Sequence, residues 1–508
     1  MMQIESATCR KFNKIIMSEE SLKNKTIKGV GWSAFDNIIK MGITFIVSIV
    51  LARKLSPDEY GLIGILTIFI TIFNTIVDSG FTSALIRKRD VTDEDYCTVF
   101  FTNLVVSVCL AICLYFLAKP ISLFFERSEL INLTRVMSII VVINALSIVQ
   151  KARTTKNIDF KSQAKITLIS GIIGGTIGII MAYCEFGVWA LVGQQLSVQL
   201  VTSILFATFN RWMPKLKFSW TSFKEMWSFS WKLLIASLVD SFFNEVYQVV
   251  IGKCYSPQSL GLFTRAKQFR DLFSSNLTTV VQRVSYPVLS TIQDEQCRLK
   301  AAYQKIIKTT MYPTMLIMIG MASVSKSMVT FLLGEKWIDC VPFLQIICLY
   351  GILYPLHAIN LNMLQVKGRS DLFLRLEIIK NIIAVLPIVI GIFTNIYAML
   401  WSTVFTQILS YYINAYYSKP LIDYGFIDQI KDIAPLFLTS VAIGLPIYIM
   451  NYLPFSSFII FPLQLIIGIG LVITCGEITR NTEYIEIKNI VFNVFNIIDE
   501  LSYNKYSW

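Results

Sequence analysis

The 508-residue sequence has little charge and almost no histidine. Charged residues make up 15% of the chain, whereas about a quarter of a soluble domain is charged. The single histidine, His357, argues against a histidine-rich metal site and a histidine-dependent triad. None of the ten cysteines forms a C-x-x-C pair, so a disulfide framework or a zinc site is not indicated. With 55% hydrophobic residues and a mean hydropathy of +0.61, the composition indicates a membrane-embedded chain.

The sequence also lacks the motifs and segments that an ATP-driven or catalytic protein needs. No G-x-x-x-x-G-K-[ST] loop is present, so we expect no nucleotide bound to this chain. The longest polar stretches are the two tails, which are too short for a catalytic domain. The first thirty residues contain no apolar stretch typical of a signal peptide, and Met17 is an alternative start to Met1. We therefore expect a non-enzyme without cofactor or metal.

Long apolar runs dominate the rest of the sequence. About 20 apolar residues are needed for a helix to cross a bilayer, and lipid-exposed backbone must be fully hydrogen-bonded. The sequence therefore predicts an all-α integral membrane protein with about fourteen transmembrane helices. The predicted spans are 29–52, 61–86, 99–118, 133–150, 166–183, 187–209, 229–252, 265–290, 309–331, 341–365, 372–393, 396–417, 433–450 and 456–475.

The lysines and arginines of the connections and the two tails are strongly biased to one side. Thirty lie on the side of the N-terminus, and six lie on the other side: Arg53, Lys54, Lys119, Arg127, Lys253 and Lys336. Because connections rich in lysine and arginine stay in the cytoplasm, we expect both termini there. The net charge of +12 is then mostly membrane-topology charge, and nucleic acid is not an expected partner.

One motif occurs twice, about two hundred residues apart. Ser-Pro-x-x-x-Gly-Leu closes the first span and opens the second (Ser56–Leu62), and it recurs between the seventh and eighth (Ser256–Leu262). Two further matches, Val188–Gln199 with Ile396–Gln407 and Glu126-Arg127 with Glu335-Lys336, have offsets of 208 and 209 residues. The repeats predict two homologous, parallel six-helix lobes with a cleft between them, as in one class of transporter.

This duplication divides the chain into six parts. They are a cytoplasmic tail (1–28), an N-lobe (29–209), a cytoplasmic linker (210–228), a C-lobe (229–417), two further spans (433–475) and a second cytoplasmic tail (476–508).

Charged residues inside the predicted spans are the candidate functional residues, because buried charges are costly and usually face a cavity. The eighth span contains Arg265, Lys267, Arg270 and Arg283 with Asp271, an excess of cations that suits an anionic ligand such as phosphate. Interfacial anchoring is the alternative for the first two. Lys40 is a further cationic candidate, although Asp36/Lys40 and Glu377/Lys380 also have the spacing of helical ion pairs.

Several uncharged polar residues have two possible roles. The amide side chains of Asn360, Asn362 and Gln365 could contact a sugar or bridge helices, and a satisfied buried histidine is the simpler role for His357. Glycines 171, 174, 175 and 178 form G-x-x-x-G pairs, which are typical of seams between membrane helices.

A set of segments resembles the polysaccharide-transporter branch of the MOP (multidrug/oligosaccharidyl-lipid/polysaccharide) exporter superfamily. They include "SIVLARKLSPDEYGL", "DSGFTSALIRKRD", "FGVWALVGQQL", "LGLFTRAKQF", "YPVLSTIQDE", "LLGEKW" and "SYYINAYYS", and the likeness covers about residues 25–450. The resemblance implies a MATE-like bundle of two six-helix lobes and two C-terminal helices. It further implies a flippase of the bacterial cytoplasmic membrane that moves an undecaprenyl-pyrophosphate-linked oligosaccharide for surface polysaccharide synthesis.

Related flippases use ion gradients, so the resemblance makes the acidic residues Asp36, Asp78, Asp240 and Glu245 candidates for ion coupling. It also implies membrane lipids as surroundings, with a polysaccharide polymerase and assembly proteins as further partners. Three alternatives stay open: a multidrug exporter of the same superfamily, a membrane enzyme of polysaccharide synthesis, and a non-transporting scaffold of an assembly machine. An acidic cavity would favour the first alternative, and a large loop or catalytic segment would favour the second.

Overall fold

The computed structural model of the protein describes residues 32, 35–37, 39–78, 80–88, 90–210, 212–480 and 482–489, with the side chains of 280, 283, 284, 287 and 370 left out. Within this part every regular element is helical, as predicted. The predicted tail 1–28 and most of the predicted tail 476–508 lie outside the described residues. The helices are α1 (Phe35–Lys54), α2 (Pro57–Asp78), α3 (Phe81–Arg87), α4 (Asp93–Phe125), α5 (Leu130–Lys156), α6 (Phe160–Tyr183), α7 (Trp189–Asn210), α8 (Trp220–Cys254), α9 (Pro257–Thr291), α10 (Gln296–Leu333), α11 (Cys340–Gly351), α12 (Tyr354–Val366), α13 (Ser370–Phe393), α14 (Ile396–Tyr416), α15 (Ser418–Ile422), α16 (Phe426–Ile449) and α17 (Ser457–Thr479).

Within the described residues, each predicted span is helical apart from one or two residues at an end, and two of the spans are divided between two helices. The second span bends at Gly80, whose φ of 71° suits glycine, and the tenth span is interrupted between α11 and α12. Among the described residues, twelve helical stretches are long and apolar enough to cross a membrane. Neither α9, with its internal charges, nor α14, with its many polar and aromatic residues, is among them. The protein is therefore a multi-pass membrane protein, and the predicted count of fourteen is not confirmed.

The described chain divides into two compact units, Met1–Gly261 and Leu262–Trp508. In the first unit, helix α6 packs through two glycine pairs. A Cβ on Gly174 would lie 2.3 Å from Val198, and a Cβ on Gly178 would lie 2.7 Å from Gln194. Both of these neighbours are on α7. A Cβ on Gly175 would lie 2.5 Å from Val47 on α1. The glycines are thus seams between helices, as their spacing predicted.

The two copies of the Ser-Pro-x-x-x-Gly-Leu motif meet in the first unit. A Cβ on Gly61 would lie 1.7 Å from the carbonyl oxygen of Pro257, and a Cβ on Gly261 would lie 1.9 Å from that of Pro57. Each motif therefore places its glycine against the proline of the other copy, and only glycine fits at either position. The repeat has a direct packing role where α2 crosses the first turn of α9.

Helix α8 also packs in the first unit, against α2, α3 and α4. Ion pairs tie α8 to neighbouring segments near both of its ends. Lys88 bridges Asp95 at 3.1 Å and Glu225 at 2.9 Å, and Lys253 bonds Glu126 at 2.8 Å. The repeat assigns α8 to the C-lobe, and that assignment to lobes stays a prediction.

The second unit is built around α10, which contacts α11, α16 and α17. A buried polar network joins it to the helices behind it. The Oδ1 of Asn360 accepts hydrogen bonds from Tyr303, Ser418 and Gln429 at 2.9–3.0 Å. The Nδ2 of Asn360 donates to Gln429 Oε1 at 3.1 Å. Asn360 therefore bridges helices, which is one of the two roles open to it from the sequence.

Candidate functional site

The α9 cations lie in the second unit on a helix that is apolar on one face and charged along part of its length. Arg265 is only 3% exposed. Its guanidinium lies 5.4 Å from the ring centre of Trp337 and donates to Gln268 at 2.8 Å. This combination of a stacked aromatic ring and a local amide holds the charge within the protein. Arg265 is therefore a cation buried within the protein.

Arg270 lies five residues further along α9, against the junction of α11 and α12. Its guanidinium is 5.3 Å from the ring centre of Tyr350 and 5.8 Å from that of Tyr354. Asp271 forms an ion pair with Arg270 at 2.8 Å. The Arg270 side chain is 11% exposed and the Asp271 side chain is 39% exposed, so the arginine is the more buried partner. The Nε of Arg270 has no hydrogen-bond partner among the described residues. Within the part of the chain that the structure describes, Asp271 therefore leaves at least one buried N–H donor of the arginine unpaired.

The stem of Arg270 is fixed by a close contact with α11. A Cβ on Gly351 would lie 2.8 Å from Arg270 Cγ and 3.2 Å from Met318 Sδ. The hydroxyl of Ser274, one turn later on α9, donates to the carbonyl oxygen of Gly351 at 2.7 Å. Contacts of both α9 and α11 therefore fix the position of the Arg270 guanidinium.

A largely apolar cavity of about 570 Å³ lies beside this position in the second unit. Helices α10, α11, α14 and α16 line it, and the lining residues include Met318, Cys348, Ile352, Trp401 and Phe437. Met318 contributes to the cavity wall and also borders Gly351 next to Arg270. A cationic group and an apolar cavity therefore lie next to each other, which is an arrangement that fits an anionic lipid.

The other two α9 candidates have less defined surroundings. Lys267 is half-buried on the same helix. Arg283 is on α9, but its side chain lies outside the described residues.

A second group of charged residues lies in the first unit, on three membrane helices. Asp36 and Lys40 are on α1, Asp78 is at the end of α2, and Lys151 is near the end of α5. Lys151 lies within electrostatic range of the other three. Asp78 accepts a hydrogen bond from Thr82 across the α2–α3 bend. Asp36 Oδ1 has no hydrogen-bond partner and no ion pair joins Asp36 to Lys40 among the described residues, so the helical pair that their spacing allows is not formed in this structure.

Lys151 lies one residue beyond the predicted fourth span (133–150), so the sequence assigns it to the following connection. In the structure, α5 continues to Lys156 and includes Lys151. The available signal was the stretch "QKARTTK", which contains no glycine or proline to end a helix before Asn157. Lys151 and Lys40 are both exposed, whereas Asp36 and Asp78 are half-buried.

The remaining acidic candidates, both on α8, differ in their surroundings. Asp240 is exposed, and Glu245 accepts a hydrogen bond from Gln248 one turn later. The carboxylate of Glu245 therefore has a local structural partner, while Asp240 is open to its surroundings.

The charged pair of the eleventh span and the histidine have structural partners in the second unit. Lys380 and Glu377 pair at 2.6 Å, which matches the helical pairing open to them from the sequence. His357 Nδ1 is 3.1 Å from Asn414 Nδ2, so the histidine is hydrogen-bonded within the bundle. Within the described residues no group of histidine, cysteine, aspartate and glutamate could hold a metal ion.

Comparison with known proteins connects this architecture to polysaccharide biosynthesis. Residues 50–342 match the family model described as polysaccharide biosynthesis protein. An uncharacterized membrane protein in the cps region of Klebsiella pneumoniae is 24% identical and covers 92% of this chain and 98% of its own. The teichuronic acid biosynthesis protein TuaB of Bacillus subtilis is 25% identical over 69% of this chain and 73% of its own.

A solved structure shares the fold. The lipid II flippase MurJ in an inward closed conformation has a TM-score of 0.70 with 16% identity, over 89% of this chain and 99% of that one. Because the identity is low, this likeness concerns the fold alone. The family match spans more than half of the sequence and agrees with the motifs that indicated a polysaccharide transporter. The chain belongs to the polysaccharide biosynthesis protein family.

Proposed function

We propose that this protein is a flippase that moves an undecaprenyl-pyrophosphate-linked oligosaccharide across the bacterial cytoplasmic membrane by alternating access. The observation that carries the proposal is the position of Arg270, a mostly buried cation beside an apolar cavity. A pyrophosphate-linked lipid has both an anionic and an apolar part. Arg270 suits the anionic pyrophosphate, and the cavity suits the apolar chain. The teichuronic acid relative and the lipid II flippase fold support the same class of cargo.

The proposed division of roles follows the chemistry of each group. Arg270 would bind the pyrophosphate through the donors that Asp271 leaves free, assisted by Arg265, Lys267 and Arg283 on the same helix. The prenyl chain would enter the surrounding lipid past the apolar cavity, and the sugars would occupy the cleft between the lobes that the sequence repeat predicts. In the first unit, Lys40 would offer a further cation to the substrate.

Ion coupling would use the acidic residues near Lys151. Asp36 and Asp78 lie within electrostatic range of that lysine, so binding of a cation there would compete with the Lys151 ammonium. Asp240 and Glu245 on α8 are the other proposed coupling residues. Both termini would be cytoplasmic, because thirty of the lysines and arginines in the connections lie on their side.

The multidrug-exporter alternative is less favoured by the observed charges. Cationic drugs need acidic residues to bind them, whereas Arg265 and Arg270 are buried cations in the second unit. The scaffold alternative gives no role to Arg270, whose Nε has no hydrogen-bond partner in the described part of the chain and which lies beside a cavity. An enzyme would need a catalytic centre, and the relatives are named for biosynthesis without naming a reaction.

The proposal is tested by reconstituting the purified protein with its host's undecaprenyl-pyrophosphate oligosaccharide in proteoliposomes. A sugar-cleaving enzyme added outside reports substrate in the outer leaflet, with and without an imposed proton or sodium gradient. We expect movement well above that of protein-free vesicles. We expect Arg270→Ala to slow it at least tenfold, because a guanidinium–phosphate bond contributes about 1.5–3 kcal/mol. Arg270→Lys should recover part of the rate.

Arg298→Ala is the matched control for this experiment. Arg298 also pairs with a nearby carboxylate, Glu295 at 3.3 Å, but its side chain is 67% exposed at the start of α10. This variant should move substrate at the wild-type rate. Equal rates for Arg270→Ala and Arg298→Ala would refute the assignment of the anion site, and no movement by the wild-type protein under either gradient would refute the flippase itself.

A further inference from the structure

The connection between α7 and α8, residues 212–219, exposes large apolar side chains. Such side chains are unfavourable in a loop that faces water. Leu216 is 94% exposed, Met213 is 79% exposed and Phe218 is 53% exposed. They alternate with the exposed lysines Lys215 and Lys217 in the sequence "MPKLKF". Exposed apolar residues in such a row indicate a contact surface rather than a solvated loop.

This connection is held in place by the protein, so its exposure is fixed by the fold. Trp212 is 8% exposed, with its ring centre 6.0 Å from that of Tyr96 and 6.2 Å from that of Phe100. The backbone N–H of Ser219 donates to Thr98 Oγ1 at 3.0 Å. The connection is therefore pinned to α4 at both ends while its middle faces outward.

The first three turns of α8 continue the surface with an aromatic stripe. Trp220, Phe223, Trp227 and Trp231 follow one another at intervals of three or four residues, so they lie on one face of the helix. Trp220 stacks on Phe223 at 5.1 Å, and Phe223 stacks on Trp227 at 5.9 Å. The three tryptophans are 59%, 38% and 42% exposed. Tryptophan is the side chain most typical of the membrane–water interface.

The charges of this surface are almost all positive. Residues 212–232 contain four lysines (Lys215, Lys217, Lys224 and Lys232) and one acidic residue, Glu225. Glu225 is already paired with Lys88. The ammonium groups of Lys224 and Lys232 each lie 5.9 Å from a tryptophan ring, those of Trp220 and Trp231. The surface therefore has positive charge to offer directly beside its apolar and aromatic side chains.

The location of the connection limits what can cover it. Helices α7 and α8 are both long and apolar enough to cross a membrane, so residues 212–219 between them lie at a membrane surface. Lysines beside such spans attract the anionic headgroups of the cytoplasmic leaflet, and their long apolar stems allow the charge to reach the headgroup level.

We propose that the α7–α8 connection and the first three turns of α8 form a binding surface for anionic phospholipids. Lys215, Lys217 and Lys224 contact the lipid phosphates, while Met213, Leu216 and Phe218 insert at the level where the acyl chains begin. The tryptophan stripe continues this contact along α8 toward the hydrocarbon core. The surface is separate from the residues assigned to the substrate, and the proposal does not depend on the transported cargo.

The test places the photo-crosslinking residue p-benzoylphenylalanine at position 218 of the full-length protein. The purified protein is reconstituted in vesicles of phosphatidylethanolamine and phosphatidylglycerol in a 3:1 ratio, and adducts are identified by mass spectrometry after illumination. We expect lipid adducts with phosphatidylglycerol enriched over its share of the vesicle. The same residue at position 294, which is exposed in the polar α9–α10 connection, should give no lipid adduct.

Two charge variants separate a specific surface from a general effect of net charge. Lys215→Gln/Lys217→Gln should lower the phosphatidylglycerol enrichment at position 218 by roughly an order of magnitude and leave phosphatidylethanolamine adducts in place. Lys161→Gln/Lys165→Gln removes two exposed lysines from α6 and should leave the enrichment unchanged. Equal losses in both variants, adducts without enrichment, or an adduct with a cellular protein instead of lipid when position 218 is illuminated in intact cells would each overturn the proposal.

Discussion

At the scale of single residues, the position of Arg270 depends on the absence of a side chain opposite it. Gly351 lies at the end of α11, where a methyl group would come within 2.8 Å of the arginine stem. Tyr350 and Tyr354, which precede and follow this glycine in the sequence, both place their rings against the guanidinium. Three neighbouring residues of the α11–α12 junction thus position one charge on α9.

Gly351→Ala is expected to displace Arg270 without removing it. Overpacking of this kind costs about 1–3 kcal/mol, and the Arg270 stem and Met318 are the atoms that must move. We expect a several-fold loss of flipping rate while the protein still inserts and purifies normally. The proteoliposome assay measures this loss. Gly320→Ala is the control, since no atom lies within 4 Å of a Cβ at that position. A wild-type rate in Gly351→Ala would contradict the role given to this contact.

At the scale of helices, Lys88 connects the start of α4 with α8 through two carboxylates. Asp95 is 1% exposed and Glu225 is 59% exposed at the side chain. Burial alone would lower the pKa of Lys88, but the bonds to Glu225 and Asp95 outweigh it, and the pKa lies above the ordinary value of 10.5. A raised lysine pKa contributes stability that is complete below pH 10.5 and is lost only at higher pH. The contribution is therefore fully present at neutral pH.

Lys88→Met should destabilise the protein more than Glu225→Gln. The first variant leaves the buried Asp95 carboxylate without its cation. Since Lys88 itself is partly exposed, we expect a cost of about 1–2 kcal/mol, below the full penalty for breaking a buried pair. The second variant removes an exposed partner and should cost less than about 1 kcal/mol. Reversible unfolding of the detergent-solubilised variants measures both. Equal costs would show that Asp95 does not depend on Lys88.

The crossing of α2 with the first turn of α9 makes a second prediction about packing. Gly61→Ala would bring a methyl group within 1.7 Å of the Pro257 carbonyl, so the two backbones would have to separate. We expect the free energy of unfolding to fall by about 1–3 kcal/mol and flipping to be impaired, with Gly261→Ala giving a similar effect. Gly42→Ala, on α1 with nothing within 4 Å of its Cβ, should leave both measurements unchanged.

At the scale of the whole molecule, the topology depends on whether α9 and α14 cross the membrane. Helix α9 contains 35 residues, which gives a length of about 52 Å and exceeds the ~30 Å of a hydrocarbon core. Its charges keep it outside the twelve apolar stretches. The buried positions of Arg265 and Arg270 provide a reason why a charged helix could still span, because their charges are held by the protein rather than exposed to lipid.

Two native cysteines test this crossing. Cys254 and Cys297 are both exposed and lie just before and just after α9. If α9 crosses, a membrane-impermeant maleimide should label Cys254 but not Cys297 in intact cells, and both after permeabilisation. Cys254→Ser and Cys297→Ser identify each labelled site. Labelling of both cysteines in intact cells would mean that α9 does not cross and that the predicted count of fourteen is wrong.

The membrane class and the helical nature of the predicted spans follow from the amino-acid sequence alone, and its short motifs indicate the family. Apolar runs of this length can satisfy their backbone in lipid only as helices, so the apolar runs are sufficient for the first two conclusions, whereas the family rests on the resemblance of the motifs. The sequence also identified the α9 cations, because Arg265 and Arg270 interrupt an otherwise apolar stretch. Lys151 was missed because a lysine close to a span end looks the same in sequence whether or not the helix continues past it.

Which partners each residue has depends on packing between helices, and it is visible only in the folded structure. The pairing of Gly61 with Pro257, the aromatic rings around Arg270 and the hydrogen bonds of Asn360 join residues 57 to 196 positions apart, and local sequence contains no record of such distances. The same holds for Lys40, which has the spacing to pair with Asp36 but lies instead within range of Lys151 on α5. Helical periodicity sets which residues can meet along one helix, whereas packing between helices decides which of them do.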